Sequence, residues 1–431
     1  MMPKAASRNT KIPANLKSIL MDSRRLLSER GEMNGASVAR HLVQGLQRLD
    51  EDQLDGYFTY LARDLSPDPA KVLHLAQAYA EHPDAQVQIE LMRAVEPPRQ
   101  ELLRRMNRTP GGTDAILHLR RALLRRLKRQ PELQALEADM LHLLSSWFNP
   151  GFLRMRRVDW NAPAQLLEKI IQHEAVHEID GWDDLRRRLQ PDRRCFAFFH
   201  PQVPDEPLIF VEVALTPEIP NAIAPLIDKR SAAGDAHAFE VATFYSISNC
   251  EPGLKGVSLG NFLIKQVAEQ LKREFPRLKV FCTLSPIPGL VSWLQSSPDW
   301  VSLAGGKPGQ EQRLQEAWEV VKSACGADLK TLAGRMAEPD TPFGNAMMTL
   351  AAVYLKQVSP SPAGDPVARF HLDNGARLER LNLGADRSAK GLKQSCAMMV
   401  NYLYDLKKIE SNNLRFRSGD VARSRAIDGL L

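Results

Sequence analysis

The sequence predicts an all-α helical domain at the N-terminus (residues 1–147) followed by a mixed α/β domain (148–431). Three observations point there. Residues 13–148 carry apolar stripes at helical spacing, broken at intervals by proline and glycine. Two short apolar runs, Arg194–His200 (RCFAFFH) and Leu208–Leu215 (LIFVEVAL), read as strands. Residues 239–284 then read as strand, glycine loop, amphipathic helix and strand. At 431 residues the chain is too long for one ordinary core and fits two domains.

In the first half, Val38, Leu42, Leu46 and Leu49 form one stripe, and Leu54, Tyr57, Phe58 and Leu61 another. Val87, Ile89, Leu91 and Met92 form a third apolar stretch, and Leu102, Leu103 and Met106 a fourth. Breaks are expected at Ser66-Pro67-Asp68-Pro69, Pro97-Pro98 and Thr109-Pro110-Gly111-Gly112, where proline removes a donor and glycine frees the backbone. The run HLRRALLRRLKRQ holds Arg120, Arg121, Arg125, Arg126, Lys128 and Arg129. It suits either an anionic partner or, as the simpler reading, the wet face of a helix whose other face is Leu123, Leu124 and Leu127. A helical domain without catalytic residues is expected to pack subunits together.

Composition excludes several classes. Fifty-seven basic against 51 acidic side chains leave a net charge of +6, compatible with an anionic ligand but too mild for nucleic acid. Five scattered cysteines, with no CxxC pair, argue for a reducing compartment and against a disulfide framework or structural zinc. No apolar run is long enough to span a membrane. The expected location is therefore cytoplasmic. The first 21 residues are basic without an acid, which reads either as a disordered tail or as a transit peptide leading to the mitochondrial matrix.

His173-Glu174-Ala175-Val176-His177 matches the H-E-x-x-H zinc pattern. Against it, the helix from Ala164 should run out around Val176, near Gly181-Trp182, and no third ligand stands at a familiar spacing. Exposed histidines at a helix end are the expectation, with no metal.

The strands 194–200 and 208–215 should be joined by the turn-rich segment from Pro201 to Pro207, with a short helix at 222–227. Beyond the apolar run Phe239–Ile247 come Gly253, Gly256 and Gly260, then a helix on which Leu263, Ile264, Val267, Ala268 and Leu271 share a face. A glycine loop feeding a helix start suits a phosphate or pyrophosphate, though a plain tight turn would use the same glycines. A second run, Lys279–Leu284, stops at Ser285-Pro286-Ile287-Pro288-Gly289. The prolines offer no N–H, so the Ser285 hydroxyl is a natural group to meet a substrate there, or to bond its own turn. Residues 293–356 read as mainly helical; Gly305-Gly306-Lys307 lacks the remainder of a P-loop.

The strings FYSISNCEPGLKGVSLGNFLIK and FCTLSPIPGL, with FHLDNGA from Phe370 to Ala376, resemble the malonyl-CoA decarboxylase family, and the resemblance extends from about Trp147 to Tyr404. It implies that the α/β domain is related to the N-acetyltransferase (GNAT) fold, with a coenzyme A loop at Lys255, Gly256, Val257, Ser258, Leu259, Gly260 and Asn261. It implies Ser285 and His371 as catalytic residues that also bind substrate, and Tyr404 as a further site residue. It further implies a carboxy-lyase converting malonyl-CoA to acetyl-CoA and CO2 without metal or organic cofactor, and a homo-oligomer built through the helical domain. A coenzyme A-dependent N-acyltransferase and a non-catalytic acyl-CoA-binding scaffold are the alternatives.

Overall fold

The computed structural model describes residues 13–28, 32–257, 259, 263–306, 308–326, 328–361 and 364–431. The basic segment up to residue 12, and Ser258, Gly260 and Asn261 of the glycine loop, lie outside them. The chain divides into two compact units. One holds the chain up to Asn149 with Pro201–Pro204 and Glu251–Ser258; the other holds Pro150–His200, Asp205–Cys250 and Leu259–Leu431.

The first unit is helical: Ala14–Ser28, Glu32–Leu46, Glu51–Arg63, Pro69–Glu81, Ala85–Val95, Pro98–Asn107, Gly112–Arg126 and Gln134–Trp147. The breaks fall at the expected prolines and glycines. Asp68 caps the helix that begins at Pro69, Pro97 precedes the one at Pro98, and Gly111 takes φ +77° before Gly112. Leu42, Tyr57, Phe58, Leu102, Met106 and Leu123 are fully buried in its core. The hairpin of Pro69–Glu81 and Ala85–Val95 is different, because neither helix buries a residue. Its apolar stretch leaves Leu73, Ile89, Met92 and Val95 exposed.

The arginine run is not the uniformly wet face expected for it. Arg125 is exposed, but Arg120 and Arg126 are buried, Arg126 against Glu51 and Asp55. Carboxylates and carbonyls on neighbouring segments turn these two guanidinium groups inward, a pairing that helical spacing alone does not reveal.

The second unit is built on a mixed sheet: β1 (Arg154–Val158), β2 (Arg193–His200), β3 (Val203–Thr216), β4 (Val241–Asn249), β5 (Val280–Thr283), β6 (Ser285–Pro286), β7 (Arg377–Asn382) and β8 (Met399–Leu403). The order is β1-β2-β3-β4-β5-β8-β6, with β7 also paired to β8. β4 and β5 run parallel, so a crossover must join them; the helix Leu263–Glu274 lies in that connection. Its face of Leu263, Ile264, Val267, Ala268 and Leu271 is buried, as the spacing predicts.

β3 starts at Val203, earlier than expected. Its pairing with β4 begins only at Ile209, so Pro204 and Pro207 occupy a stretch where β4 asks for no N–H. β1 is an edge strand whose side chains are mostly exposed, so its sequence, RMRRV, carries no apolar signal. The β3–β4 register steps at Glu212/Val213 and leaves Tyr245 without a partner. Such a bulge re-aims neighbouring side chains. No helix among the described residues is long and apolar enough to cross a membrane.

Candidate active site

β6 pairs Ser285 with Val400 of β8, fixing the serine at the point where the apolar run of β5 ends. His371 stands on the helix Pro366–Asp373, which Asp365 caps by accepting from the N–H groups of Val367 and Ala368. The helix closes at Gly375 with φ +78°; a Cβ there would lie 2.2 Å from the Ile409 carbonyl, so the close approach requires glycine. Tyr404 follows β8 and donates its N–H to the Phe281 carbonyl, 2.8 Å away.

These elements bring Ser285, His371 and Tyr404 into one line. Ser285 Oγ is 3.0 Å from His371 Nε2, and His371 Nδ1 is 2.8 Å from the Tyr404 hydroxyl. All three side chains are buried. The Tyr402 ring stacks on the imidazole at 4.7 Å between centroids, fixing its plane.

Burial pushes the pKa of His371 down to about 3 and raises that of Tyr404 well above its ordinary value, so both are neutral at pH 7. An ordinary histidine cycles between its two forms near neutrality; desolvation removes that property from His371. Proton positions follow from the hydrogen bonds. Ser285 Oγ donates to Thr283 Oγ1 at 2.9 Å, so Nε2–H must donate to Ser285 and Nδ1 must accept from Tyr404. The Tyr402 N–H also donates to Thr283 Oγ1, at 3.2 Å. The wire therefore runs from Tyr404 through His371 and Ser285 to Thr283. Thr283 lacked any signal in the sequence beyond its place two residues before Ser285.

Ser285 and His371 line a cavity of about 290 Å³ within the α/β unit, together with Val176, Phe244, Ser246 and Phe370. A mostly apolar enclosure with a few convergent polar groups is the usual character of a small-molecule site.

Comparison with known proteins assigns the family. Residues 151–431 match the malonyl-CoA decarboxylase C-terminal domain, and residues 65–148 match the N-terminal domain. The chain belongs to the malonyl-CoA decarboxylase family. It is 35% identical over 378 residues to the mitochondrial malonyl-CoA decarboxylase of Anser anser anser, covering 83% of this chain and 75% of that one. Against the Rattus norvegicus mitochondrial enzyme the identity is 36% over 348 residues, 77% and 70% of the two chains. The crystal structure of malonyl-CoA decarboxylase from Rhodopseudomonas palustris superposes with a TM-score of 0.84 at 44% identity, covering 97% of this chain and all of that one. The Agrobacterium vitis structure gives 0.79 at 42% identity, with 96% and 99% covered.

The glycine loop differs in detail from the expected phosphate cradle. In its described part, the N–H groups of Gly253, Leu254, Lys255 and Val257 bond to Glu251 Oε1, Glu251 O, Pro252 O and Leu254 O. Those four donors close the turn upon itself. Lys255 and Gly256 are exposed, Val257 is half-buried and Leu259 is buried. Arg120 reaches into this segment from the helix Gly112–Arg126 and donates to the carbonyls of Gly253 and Lys255 at 2.5 and 2.7 Å, with Glu137 as its carboxylate partner. A Cβ on Gly253 would meet the Leu117 carbonyl at 2.7 Å. The loop is thus clamped by the arginine run.

The H-E-x-x-H segment is not a pair of exposed helix-end histidines. The helix ends at His173, Glu174 leaves it with ψ 108°, and both Glu174 and His177 are buried. The Glu174 carboxylate accepts from the N–H groups of Val176 and His177 and from Ser246 Oγ. Lys390 Nζ holds the same segment from outside through the Ala175 and Val176 carbonyls. Its job is to pin a loop that supplies Val176 to the cavity wall. Among the described residues no cluster of three or more His, Cys, Asp or Glu side chains could hold a metal ion.

Proposed function

We propose that this chain decarboxylates malonyl-CoA to acetyl-CoA and CO2, with Ser285, His371 and Tyr404 as its catalytic groups. The observation that carries this reading is the Ser285–His371–Tyr404 line opening, through Ser285 and His371, on a cavity in a chain of this family. The thioester carbonyl is itself the electron sink for the departing carboxylate, so neither metal nor organic cofactor is required. Loss of CO2 leaves an enolate, and the protein must hold the oxyanion and protonate carbon. The Ser285 hydroxyl turns from Thr283 to the substrate and gives its proton to carbon, and Nε2–H replaces that proton. The Tyr404 O–H protonates Nδ1 in turn, and the phenolate left behind takes the consumed proton from water as the product leaves. An enolate carbon is a far stronger base than a serine alkoxide, so the neutral wire suffices as acid. A positioned acid contributes roughly a hundred- to ten-thousand-fold, and each aligned oxyanion donor roughly a hundred- to a thousand-fold.

Residues 255–261 (Lys255 to Asn261) are assigned to coenzyme A, with Lys255 as a point charge for its phosphates. The exposed apolar face of the 69–95 hairpin is assigned to self-association, since a face bearing Leu73, Ile89, Met92 and Val95 gains from burial against a second copy. Five buried free thiols fit a reducing compartment. We assign the chain to the cytoplasm, the mitochondrial matrix being the second reading.

Purified protein incubated with malonyl-CoA and a chelator tests the assignment. Stoichiometric CO2 and acetyl-CoA without an acceptor are expected. Turnover that requires an amine acceptor would indicate acyl transfer, and binding without turnover would indicate a scaffold.

A further inference from the structure

Asp365 is a buried carboxylate that the proton wire does not use. It is 1% exposed, and its four partners are neutral donors. Oδ1 accepts from Val367 N–H and Ala368 N–H, both at 3.0 Å, and so caps the helix that carries His371. Oδ2 accepts from Gly289 N–H at 3.0 Å, in the proline-locked turn that begins at Ser285, with the Tyr354 hydroxyl at 3.5 Å. The turn comes in closely: a Cβ on Gly289 would lie 2.1 Å from that hydroxyl and 3.3 Å from Oδ2. Capping alone does not call for burial, because Asp50, Asp68 and Asp84 cap their helices from exposed positions. Placing a carboxylate out of water costs free energy, and only donors on both sides offset it. Here one oxygen faces the His371 helix and the other faces the Ser285 turn.

We propose that Asp365 is a positioning residue that sets the separation of Ser285 from His371. This rests on the reading of those two residues as the catalytic pair. Without the carboxylate the turn and the helix keep their own structure but lose the shared anchor, and a misplacement of about 1 Å costs on the order of a hundredfold in rate. The effect belongs in kcat, because the hydrogen bonds of Asp365 go to the framework of the pair.

The test compares Asp365→Ala, Asp365→Asn, Ser285→Ala and His371→Ala in steady-state decarboxylation of malonyl-CoA, with melting temperatures as the check on folding. Asp365→Ala is expected to lower kcat about a hundredfold while KM stays within about twofold. Asp365→Asn keeps the cap acceptor for Val367 and Ala368 but turns an NH2 group toward the Gly289 N–H, so it should remain folded and still lose most of the rate that Asp365→Ala loses. Wild-type kcat in Asp365→Ala overturns the proposal. So does an asparagine variant with wild-type kcat, or a loss expressed in KM alone. If Ser285→Ala and His371→Ala themselves keep full turnover, the catalytic pair is wrong. If they lose it while Asp365→Ala does not, only the role of Asp365 fails.

Discussion

Ser285 and His371 are 86 residues apart in the chain, and their Oγ and Nε2 atoms are 3.0 Å apart in the fold. The two side chains form one proton-transferring unit. Ser285→Ala and His371→Ala should each reduce kcat by about two orders of magnitude or more, and the double variant should be little worse than either. Coenzyme A affinity, measured by calorimetry, should be nearly unchanged.

Thr283 Oγ1 is the acceptor that holds the Ser285 hydroxyl away from the imidazole in the resting site. Thr283→Val preserves shape and removes that acceptor, leaving both Ser285 O–H and Tyr402 N–H without it. Because the Ser285 bond is released when the hydroxyl turns to the substrate, the loss should be read in stability, about 1–3 kcal/mol per stranded donor, with kcat nearly unchanged. Thr283→Ser, which keeps the acceptor, should restore the melting temperature.

Arg120 acts on the glycine loop through the carbonyls of Gly253 and Lys255. Arg120→Met leaves two carbonyls and the Glu137 carboxylate without their guanidinium, so the helical unit should lose stability by about 3 kcal/mol. If the loop binds coenzyme A, KM for malonyl-CoA should rise while kcat holds; steady-state kinetics below the melting temperature read both.

His371 gives stability a pH dependence of definite sign. Its folded pKa is about 3 against an ordinary 6.5, so below pH 6.5 the unfolded chain takes up a proton that the folded chain refuses. The contribution is fully present above pH 7 and falls by about 2 kcal/mol on going to pH 5. Buried His177, depressed by desolvation to about 4, acts in the same direction. Urea midpoints at pH 7 and pH 5 should converge in His371→Asn relative to wild type.

Glu174 makes the metal question testable. Glu174→Ala strands the Ser246 hydroxyl and the N–H groups of Val176 and His177. Each buried donor left unsatisfied costs about 1–3 kcal/mol, so the melting temperature should drop. A zinc site would instead show loss of activity with chelator and recovery with added metal.

Local pattern carried most of the fold. Proline and glycine punctuation placed the helices of residues 13–148, and the period of Leu263 to Leu271 set the crossover helix with its buried face. Where local pattern was weak, elements were missed: β1 because an edge strand keeps its side chains in water, and the full length of β3 because its prolines sit beyond the reach of β4. The catalytic candidates were legible as whole strings, TLSPIPG and FHLDNGA, rather than as isolated residues. Arginine burial was not legible, because the partners of Arg120 and Arg126 are carboxylates and carbonyls distant in the chain.

The sequence by itself determined the helical and α/β halves, the turn chemistry at 285–289 and the residue types able to move a proton. Tertiary structure alone decided that the Tyr404 hydroxyl meets Nδ1, that Thr283 orients Ser285, and that Asp365 joins the two segments. The physical reason is distance along the chain. Backbone preference acts over a few residues, whereas the dielectric around an imidazole and the direction of a hydroxyl depend on whatever side chains packing brings within 3 Å or so.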